Sequence, residues 1–268
     1  MIPAPFDYVT ATTFDEAVGL LQRYGDEAKV IAGGQSLVPL MRLRLAQPSA
    51  LVDISRIRGA EEIARDNGHL NVGAGARHVD IEHNAVVRDA LPLLADIAHE
   101  IGDNQVRNLG TMGGVISHGD SAGDYCALAL MLDAEIVTTK RTHAAAGFFK
   151  DTFTTSLEPD EVVTAVRFPV ATGPHAYQKF RRRLFDWALA GVMAQRTDEG
   201  WRVGYVNLGP TALRGTAVEE ALAQGATAAE ASQRAVTGLA PRDDLQASAA
   251  YKRHLAQVLT ERALESAA

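Results

Sequence analysis

The chain has 268 residues, of which 47% are hydrophobic and 22% charged, and its net charge is −7. This balance is typical of a globular protein with a sizeable core, and the negative charge argues against nucleic acid or an anionic membrane surface as a partner. The first residues lack the basic and apolar segments of a signal peptide, and no apolar run reaches membrane-spanning length. The single cysteine, Cys126, excludes an intrachain disulfide and an iron–sulfur cluster built by this chain alone. We therefore expect a cytoplasmic protein that is not transmembrane.

Residues 1–57 are predicted to form a small α/β unit. Thr13-Phe14-Asp15-Glu16 has the pattern of a capping box, and the apolar residues after it recur at helical spacing up to Gly25. Strand-like runs follow at 28–31 and 50–54, and a helix-like run lies between them. The glycine turn between the first of these strands and this helix is the most informative part of the unit.

This turn is Ala32-Gly33-Gly34-Gln35-Ser36. Its glycines allow a tight turn and the close approach of a ligand, and Ser36 is a suitable N-cap for the following helix. A strand, a glycine turn and a helix N-terminus together form a binding site suited to phosphate. The pattern alone also fits an ordinary strand-to-helix turn in which the glycines serve geometry only.

Residues 58–170 are predicted to form a larger α+β unit. A strand-like run ends in Gly73-x-Gly75, but His78 stands where a dinucleotide-binding fingerprint has its third glycine, and no clear βαβ unit follows. We therefore predict an ordinary strand-to-helix turn at this point. An amphipathic helix is predicted over 90–101.

A second glycine turn, Gly110-Thr111-Met112-Gly113-Gly114, lies within a long polar segment that ends at Asp124. Ordering such a segment is costly in conformational entropy unless something holds it, and a buried ligand is one candidate. Asp124 starts the next predicted helix. It is either a capping acid or an acceptor for the hydroxyl groups of a ribose or ribityl chain.

Residues 171–268 are predicted to form a C-terminal sheet with helices. Strands are expected near 177–180 and 201–208, and helices over 216–223, 228–239 and 247–265. A basic run, Arg181-Arg182-Arg183, stands near Lys179, and Trp187 follows it. Each of these features fits either a ligand contact or an ordinary structural role.

The residue types that carry chemistry are scattered along the chain. The eight histidines do not have the spacing of a zinc site, and no catalytic triad or pair of catalytic carboxylates is evident. We therefore expect no catalytic residue and no metal ligand on this chain. A bound cofactor would carry any chemistry.

Four groups of residues together resemble the FAD-binding medium subunits of molybdenum hydroxylases. They are the two glycine turns, Asp120 with Asp124, and Lys179 with Asp186-Trp187-Ala188. The resemblance is closest to the aerobic carbon monoxide dehydrogenases, more distant to the FAD domains of xanthine dehydrogenases, and covers essentially the whole chain. It implies an α+β fold of the vanillyl-alcohol-oxidase type (PCMH-like), with FAD between the first two units and a C-terminal domain of sheet and helices.

The resemblance also implies which residues bind the cofactor. The two turns would hold the pyrophosphate from opposite sides, and Asp124 would bind the ribityl or ribose region. Trp187 stands where the carbon monoxide enzymes have a tyrosine beside the isoalloxazine. The full set is Ile31, Ala32, Gly33, Gly34, Gln35, Ser36, Leu37, Ile101, Thr111, Met112, Gly113, Gly114, Asp120, Asp124, Val163, Lys179 and Trp187.

The chain departs from the family pattern at three positions. Gln35 stands where histidine is common, Val115 replaces an asparagine, and Trp187 replaces the tyrosine. None of these changes removes a backbone N–H group. The expectation of bound FAD therefore stands.

By resemblance, the chain is the flavoprotein subunit of a dimer of heterotrimers (a heterohexamer). A small partner would carry two [2Fe–2S] clusters, a large partner the molybdopterin cofactor, and an acceptor such as a quinone would take the electrons. Carbon monoxide is the leading substrate; xanthine-, nicotine-, caffeine- and aldehyde-type hydroxylases remain open. The complex would be cytoplasmic, either free or peripherally attached to a membrane. Two alternatives are an assembly subunit without functional flavin and a stand-alone flavin oxidase, although no substrate acid–base residues are evident.

Overall fold

Three successive parts of the chain each contain a sheet in the computed structural model, which describes residues 2–268. Met1, the first residue of the expected 1–57 unit, lies outside the described residues. Helices and strands are mixed throughout the first two parts, and the last part separates its strands from its helices.

The first part packs one helix against a parallel three-stranded sheet. Its elements are β1 (Asp7–Thr10), α1 (Phe14–Tyr24), β2 (Ala28–Ile31), α2 (Leu37–Arg42) and β3 (Ala50–Asp53). The strand order is β1-β3-β2, and all four residues of the central strand β3 are buried. Ile31 pairs with Asp53, so β2 and β3 end at the same edge of the sheet. The first glycine turn begins at this carboxyl edge, where α/β sheets commonly bind ligands.

The second part is built on an antiparallel five-stranded sheet with the strand order β4-β5-β10-β6-β7. Its strands are β4 (Ile63–Asp66), β5 (His69–Gly73), β6 (Glu135–Thr138), β7 (Thr142–Ala144), β8 (Phe149–Asp151), β9 (Thr154–Thr155) and β10 (Val163–Pro169), of which β8 and β9 form a separate hairpin. The helices between β5 and β6 are α3 (His78–His83), α4 (Ala85–Ala90), α5 (Pro92–His99), α6 (Asn104–Arg107), α7 (Met112–His118) and α8 (Asp124–Met131).

Two expectations for this part differ from the structure. The helix expected over 90–101 is present as α5, but it begins only at Pro92, which lacks an N–H group and suits the first turn of a helix; α4, which ends at Ala90, was not predicted. The polar segment before Asp124 contains α6 and α7, which were not expected. The side chains of Asp103 and Thr111 cap these helices and supply the acceptors that their first N–H groups need.

The third part is an antiparallel sheet covered by helices. It contains β11 (His175–Phe180), β12 (Ala190–Thr197), β13 (Gly200–Val206), β14 (Leu213–Arg214), α9 (Thr216–Ala223), α10 (Ala228–Ser232) and α11 (Ala249–Ser266). The helix expected over 228–239 ends at Ser232. Strand β12 was not predicted, because its first six residues are all buried and show no polar–apolar alternation.

The main apolar core lies in the second part, where α8 is buried along almost its whole length. Among residues 2–268, none of the helices has the length and apolar character needed to cross a membrane. The same described residues contain no cluster of three or more His, Cys, Asp or Glu side chains placed to hold a metal ion.

Candidate functional site

The first turn, Ala32–Ser36, presents several free hydrogen-bond donors. Gly34 has a φ of +70°, a conformation that glycine adopts readily. The backbone N–H groups of Gly33, Gly34, Gln35 and Ser36 have no acceptor within residues 2–268. Four neighbouring free N–H groups are the donors that an anion such as a phosphate requires.

Ser36 does not cap α2 with its side chain, contrary to the sequence prediction. Its backbone has φ −103° and ψ −47°, which is helical, whereas a side-chain N-cap usually has an extended backbone. The Gln35 side chain turns inward and donates to the carbonyl oxygen of Gly33 at 2.9 Å. The carbonyl oxygen of Gly33 is therefore occupied by a side chain of the same turn, whereas the backbone N–H groups of the turn remain free.

The second turn, Gly110–Gly114, lies directly against the first. A Cβ atom placed on Gly33 would overlap the carbonyl oxygen of Leu109 and would lie 2.7 Å from the Cα atom of Gly110. Real Cβ atoms do not approach backbone so closely. Gly33 is therefore required because two stretches of backbone meet there, and the two turns are neighbours in the structure.

The second turn uses its own N–H groups differently from the first. The N–H groups of Met112 and Gly113 donate to carbonyl oxygens in the segment 74–76, each at 2.9 Å. The N–H group of Gly114 donates to Thr111 Oγ1 at 3.1 Å. These three groups are therefore not free for a ligand, although Gly114 itself is exposed. The second turn was expected to supply free N–H donors. It instead packs closely against the first turn and exposes the surface of Gly114.

Asp124 and Lys179, both predicted to bind the cofactor, are paired with each other. Lys179 Nζ lies 2.9 Å from Asp124 Oδ2, and it also donates to the carbonyl oxygen of Glu100 at 3.0 Å. The hydroxyl group of Tyr177 donates to the other oxygen of Asp124. Burial raises the pKa of Tyr177 well above its usual value, and the negative charge of Asp124 adds to the rise. Tyr177 is therefore a permanent donor, and it was missed from sequence because no local pattern links it to Asp124.

The remaining predicted residues differ in exposure. Three of them are partly buried, namely Ile31, Leu37 and Asp120. Ile101 and Val163 are buried in the core and present little side-chain surface. Trp187 is 56% exposed and follows two further exposed apolar residues, Leu184 and Phe185.

The two-turn site, Ala32–Ser36 with Gly110–Gly114, fits a dinucleotide cofactor by its chemistry. Free backbone donors stand at the first turn, and a side chain at Gly33 would displace the second turn. A diphosphate needs donors and close backbone approach rather than an acid–base pair. The residues present therefore fit a flavin or nicotinamide dinucleotide held through its pyrophosphate.

Comparison with known families identifies the class of protein. Residues 4–171 match the family model described as the FAD-binding domain in molybdopterin dehydrogenase. Residues 175–267 match the CO dehydrogenase flavoprotein C-terminal domain. The chain belongs to the family of FAD-binding subunits of molybdopterin dehydrogenases, which bind FAD and are parts of molybdenum-containing oxidoreductases.

Individual relatives extend this likeness along the whole chain. The carbon monoxide dehydrogenase medium chain of Hydrogenophaga pseudoflava is 38% identical over 283 residues, which cover 100% of this chain and 98% of the relative. Subunit alpha of the 6-hydroxypseudooxynicotine dehydrogenase complex of Paenarthrobacter nicotinovorans is 34% identical, and the match covers 100% of this chain and 96% of the relative. A solved structure of the Hydrogenophaga pseudoflava carbon monoxide dehydrogenase, which lacks the Mo-pyranopterin moiety, superposes with a TM-score of 0.94 at 39% identity, covering 100% and 98% of the two chains. The predicted family, fold and cofactor are thus confirmed.

Proposed function

We propose that this chain is the electron-transfer subunit of a heteromeric molybdenum hydroxylase. Bound FAD would supply the redox chemistry, taking electrons from the [2Fe–2S] clusters of a small partner and passing them to an external acceptor such as a quinone. A large partner would carry the molybdopterin cofactor, and the complex would be a cytoplasmic dimer of heterotrimers, free or peripherally attached to a membrane. Carbon monoxide is the proposed substrate of the complex, by likeness to the carbon monoxide dehydrogenase medium chain.

The observation that carries the proposal is the row of free N–H groups from Gly33 to Ser36 beside the second turn. Backbone donors stabilise a diphosphate without a cationic side chain, and their position does not depend on a rotamer. The packing of Gly33 against Leu109 and Gly110 holds these donors in one orientation. The proposed task of this chain is therefore to bind and orient the cofactor.

Two side chains near the site are unsuited to proton transfer, in keeping with that task. Both oxygens of Asp124 already accept hydrogen bonds from buried partners. Burial raises the pKa of the Cys126 thiol far above its usual range, so no thiolate forms near neutral pH. A stand-alone oxidase would need a group that exchanges protons with its substrate.

The composition and surface support partners on other chains. Cys126 is the single cysteine and is buried, so the proposed iron–sulfur clusters must be held elsewhere. The exposed Leu184, Phe185 and Trp187 form an apolar stretch of the kind that protein interfaces cover. We also keep the boundaries 1–57, 58–170 and 171–268 as a proposal, because each interval contains one main sheet.

The site residues predicted from the resemblance also remain a proposal. The first turn has the strongest support, since its donors are free. For Asp124 and Lys179 the proposal is that their pair orders the adjacent backbone, and that either group reaches the cofactor only by exchanging its present partner. Trp187 is proposed to lie near the isoalloxazine by the resemblance, and its exposed side chain in the loop between β11 and β12 is accessible to a ligand.

The proposal is tested by purifying the intact complex and measuring FAD, iron and molybdenum per copy of this chain. One FAD per chain, with flavin reduction under carbon monoxide that requires the partner subunits, would support it. An intact complex without flavin would favour an assembly subunit. Turnover by the isolated chain would favour a stand-alone oxidase, and reduction only by another hydroxylase substrate would reassign the complex, as the 6-hydroxypseudooxynicotine relative illustrates.

A further inference from the structure

The imidazole ring of His78 packs against the second turn at Gly110. The backbone N–H group of His78 donates to the carbonyl oxygen of Gly110 at 3.1 Å. A Cβ atom placed on Gly110 would lie 2.5 Å from Nε2 and 2.8 Å from Cδ2 of the His78 ring. The Cα atom of Gly110 is also the atom that a Cβ on Gly33 would approach to 2.7 Å. Gly110 is therefore confined by the ring and by the first turn.

We propose that His78 is a positioning residue for FAD: its ring sets where Gly110 lies against Gly33, and thereby the spacing of the two turns. This inference rests on the proposed function, because it assigns the spacing a role in holding the cofactor. His78 is not proposed to touch the reacting atoms. It acts through the backbone of the second turn.

The surroundings of the ring make it rigid. His78 is 2% exposed, and its ring meets the ring of Tyr125 edge to face, with centroids 5.3 Å apart. Its Nδ1 atom and the hydroxyl oxygen of Tyr125 are buried without a hydrogen-bond partner among residues 2–268. The ring thus has little freedom to move away from Gly110.

The charge around the ring keeps it neutral. Burial, with a smaller contribution from the Arg107 guanidinium, lowers the pKa of His78 to about 4. Glu82, one helical turn after His78, pairs with Arg107 at 3.0 Å, and Tyr125 remains a neutral phenol because burial raises its pKa. The His78 ring that packs against Gly110 is therefore uncharged throughout the physiological pH range.

The test is a size-rescue cycle in the purified complex: Gly110→Ala, His78→Ala and the double variant. The readout is the rate of FAD release, followed by the appearance of free-flavin fluorescence after dilution. Gly110→Ala is expected to speed release about tenfold, since the new methyl group meets the ring, and the double variant should release FAD several times more slowly than Gly110→Ala. His78→Phe, which keeps a planar ring, should remain near the wild-type rate.

The matched control is Gly33→Ala with and without His78→Ala. The first clash at Gly33 is with the carbonyl oxygen of Leu109 rather than with the His78 ring, so removing the ring should give much less rescue there than at Gly110. The visible circular dichroism of the bound flavin is a second readout, and it should change in Gly110→Ala and return toward wild type in the double variant.

Two results would overturn the inference: additive effects of Gly110→Ala and His78→Ala, or release from His78→Phe as fast as from His78→Ala. A wild-type complex without FAD would defeat the proposed function instead. In that case the same four proteins are compared by thermal unfolding. Non-additive melting temperatures would retain the spacing role of His78, and additive ones would overturn it as well.

Discussion

Lys179 Nζ lies 2.9 Å from Asp124 Oδ2, and neither side chain is more than 4% exposed. This ion pair joins β11 in the third part of the chain to the start of α8 in the second. Removing one partner leaves a buried charge without compensation, so Lys179→Met should lower the free energy of unfolding by about 3–5 kcal/mol. Urea denaturation measures the loss.

The control for this prediction is a pair of the same chemistry at the surface. Arg65 Nη1 lies 3.1 Å from Asp89 Oδ2, with side chains 49% and 75% exposed. Arg65→Met should cost no more than about 1 kcal/mol, because water already solvates both charges. Similar losses for the two variants would contradict the importance given to the buried pair.

Gly33→Ala should weaken FAD binding at least about tenfold, equivalent to about 1.4 kcal/mol or more, because the new methyl group would displace the second turn. The measurement is FAD content after gel filtration of the complex at graded concentrations. Gly19→Ala is the matched control, since a Cβ there meets no atom within 4 Å. It should leave FAD content unchanged and stabilise α1 by about 0.5–1 kcal/mol. A Gly33→Ala protein with full flavin content would argue against the two-turn site.

His78 should make stability depend on pH. Its pKa is lowered from 6.5 to about 4 in the folded protein, so between these values the unfolded chain binds the proton more readily. The free energy of unfolding therefore falls as pH drops from above 6.5 toward 4, by about 2 kcal/mol at pH 5. His78→Phe removes this contribution, while Arg107, Glu82 and Tyr125 remain in both proteins. The difference between wild type and variant should change across this interval; a constant difference would refute the assignment.

Thr111 should stabilise α7 through its side-chain oxygen. Thr111 Oγ1 accepts the N–H group of Gly114 at 3.1 Å, so Thr111→Val leaves that group without its partner. The expected loss is about 1 kcal/mol, with a lower melting temperature, whereas Thr111→Ser should retain most of the stability. A serine variant as unstable as the valine variant would show that the methyl group, rather than the hydroxyl, is what matters.

The first turn could be located from sequence because its information is local. Two glycines after a strand-like run and before a helix-like run define a turn with exposed N–H groups, and the free donors from Gly33 to Ser36 are where this pattern puts them. The N-cap at Ser36 was predicted wrongly, since the choice between helical and extended backbone there depends on how α2 packs. Helix α7 was missed because two glycines in its first turn lower its helix propensity.

The residues that support the site could not be found locally. Tyr177 lies on β11 in the third part and reaches Asp124 at the start of α8 in the second, and nothing in the sequence around either residue indicates this contact. In the sequence, His78 is notable only because it stands where a dinucleotide-binding fingerprint has its third glycine. Its packing against Gly110 depends on the antiparallel bridge between Arg77 and Thr111, which joins distant segments. Local pattern thus located the backbone with free N–H groups, and tertiary contacts alone defined what holds it in place.

The backbone contact between Gly33 and Gly110 affects how the protein unfolds and loses its cofactor. Gly33 belongs to the part with the parallel sheet and Gly110 to the part with the antiparallel five-stranded sheet. A ligand bound by both turns would therefore stabilise the association of these two parts by its binding free energy. The loaded protein is therefore expected to lose cofactor and separate these units in a single transition. The empty protein, held at this point by backbone packing alone, is expected to open there first.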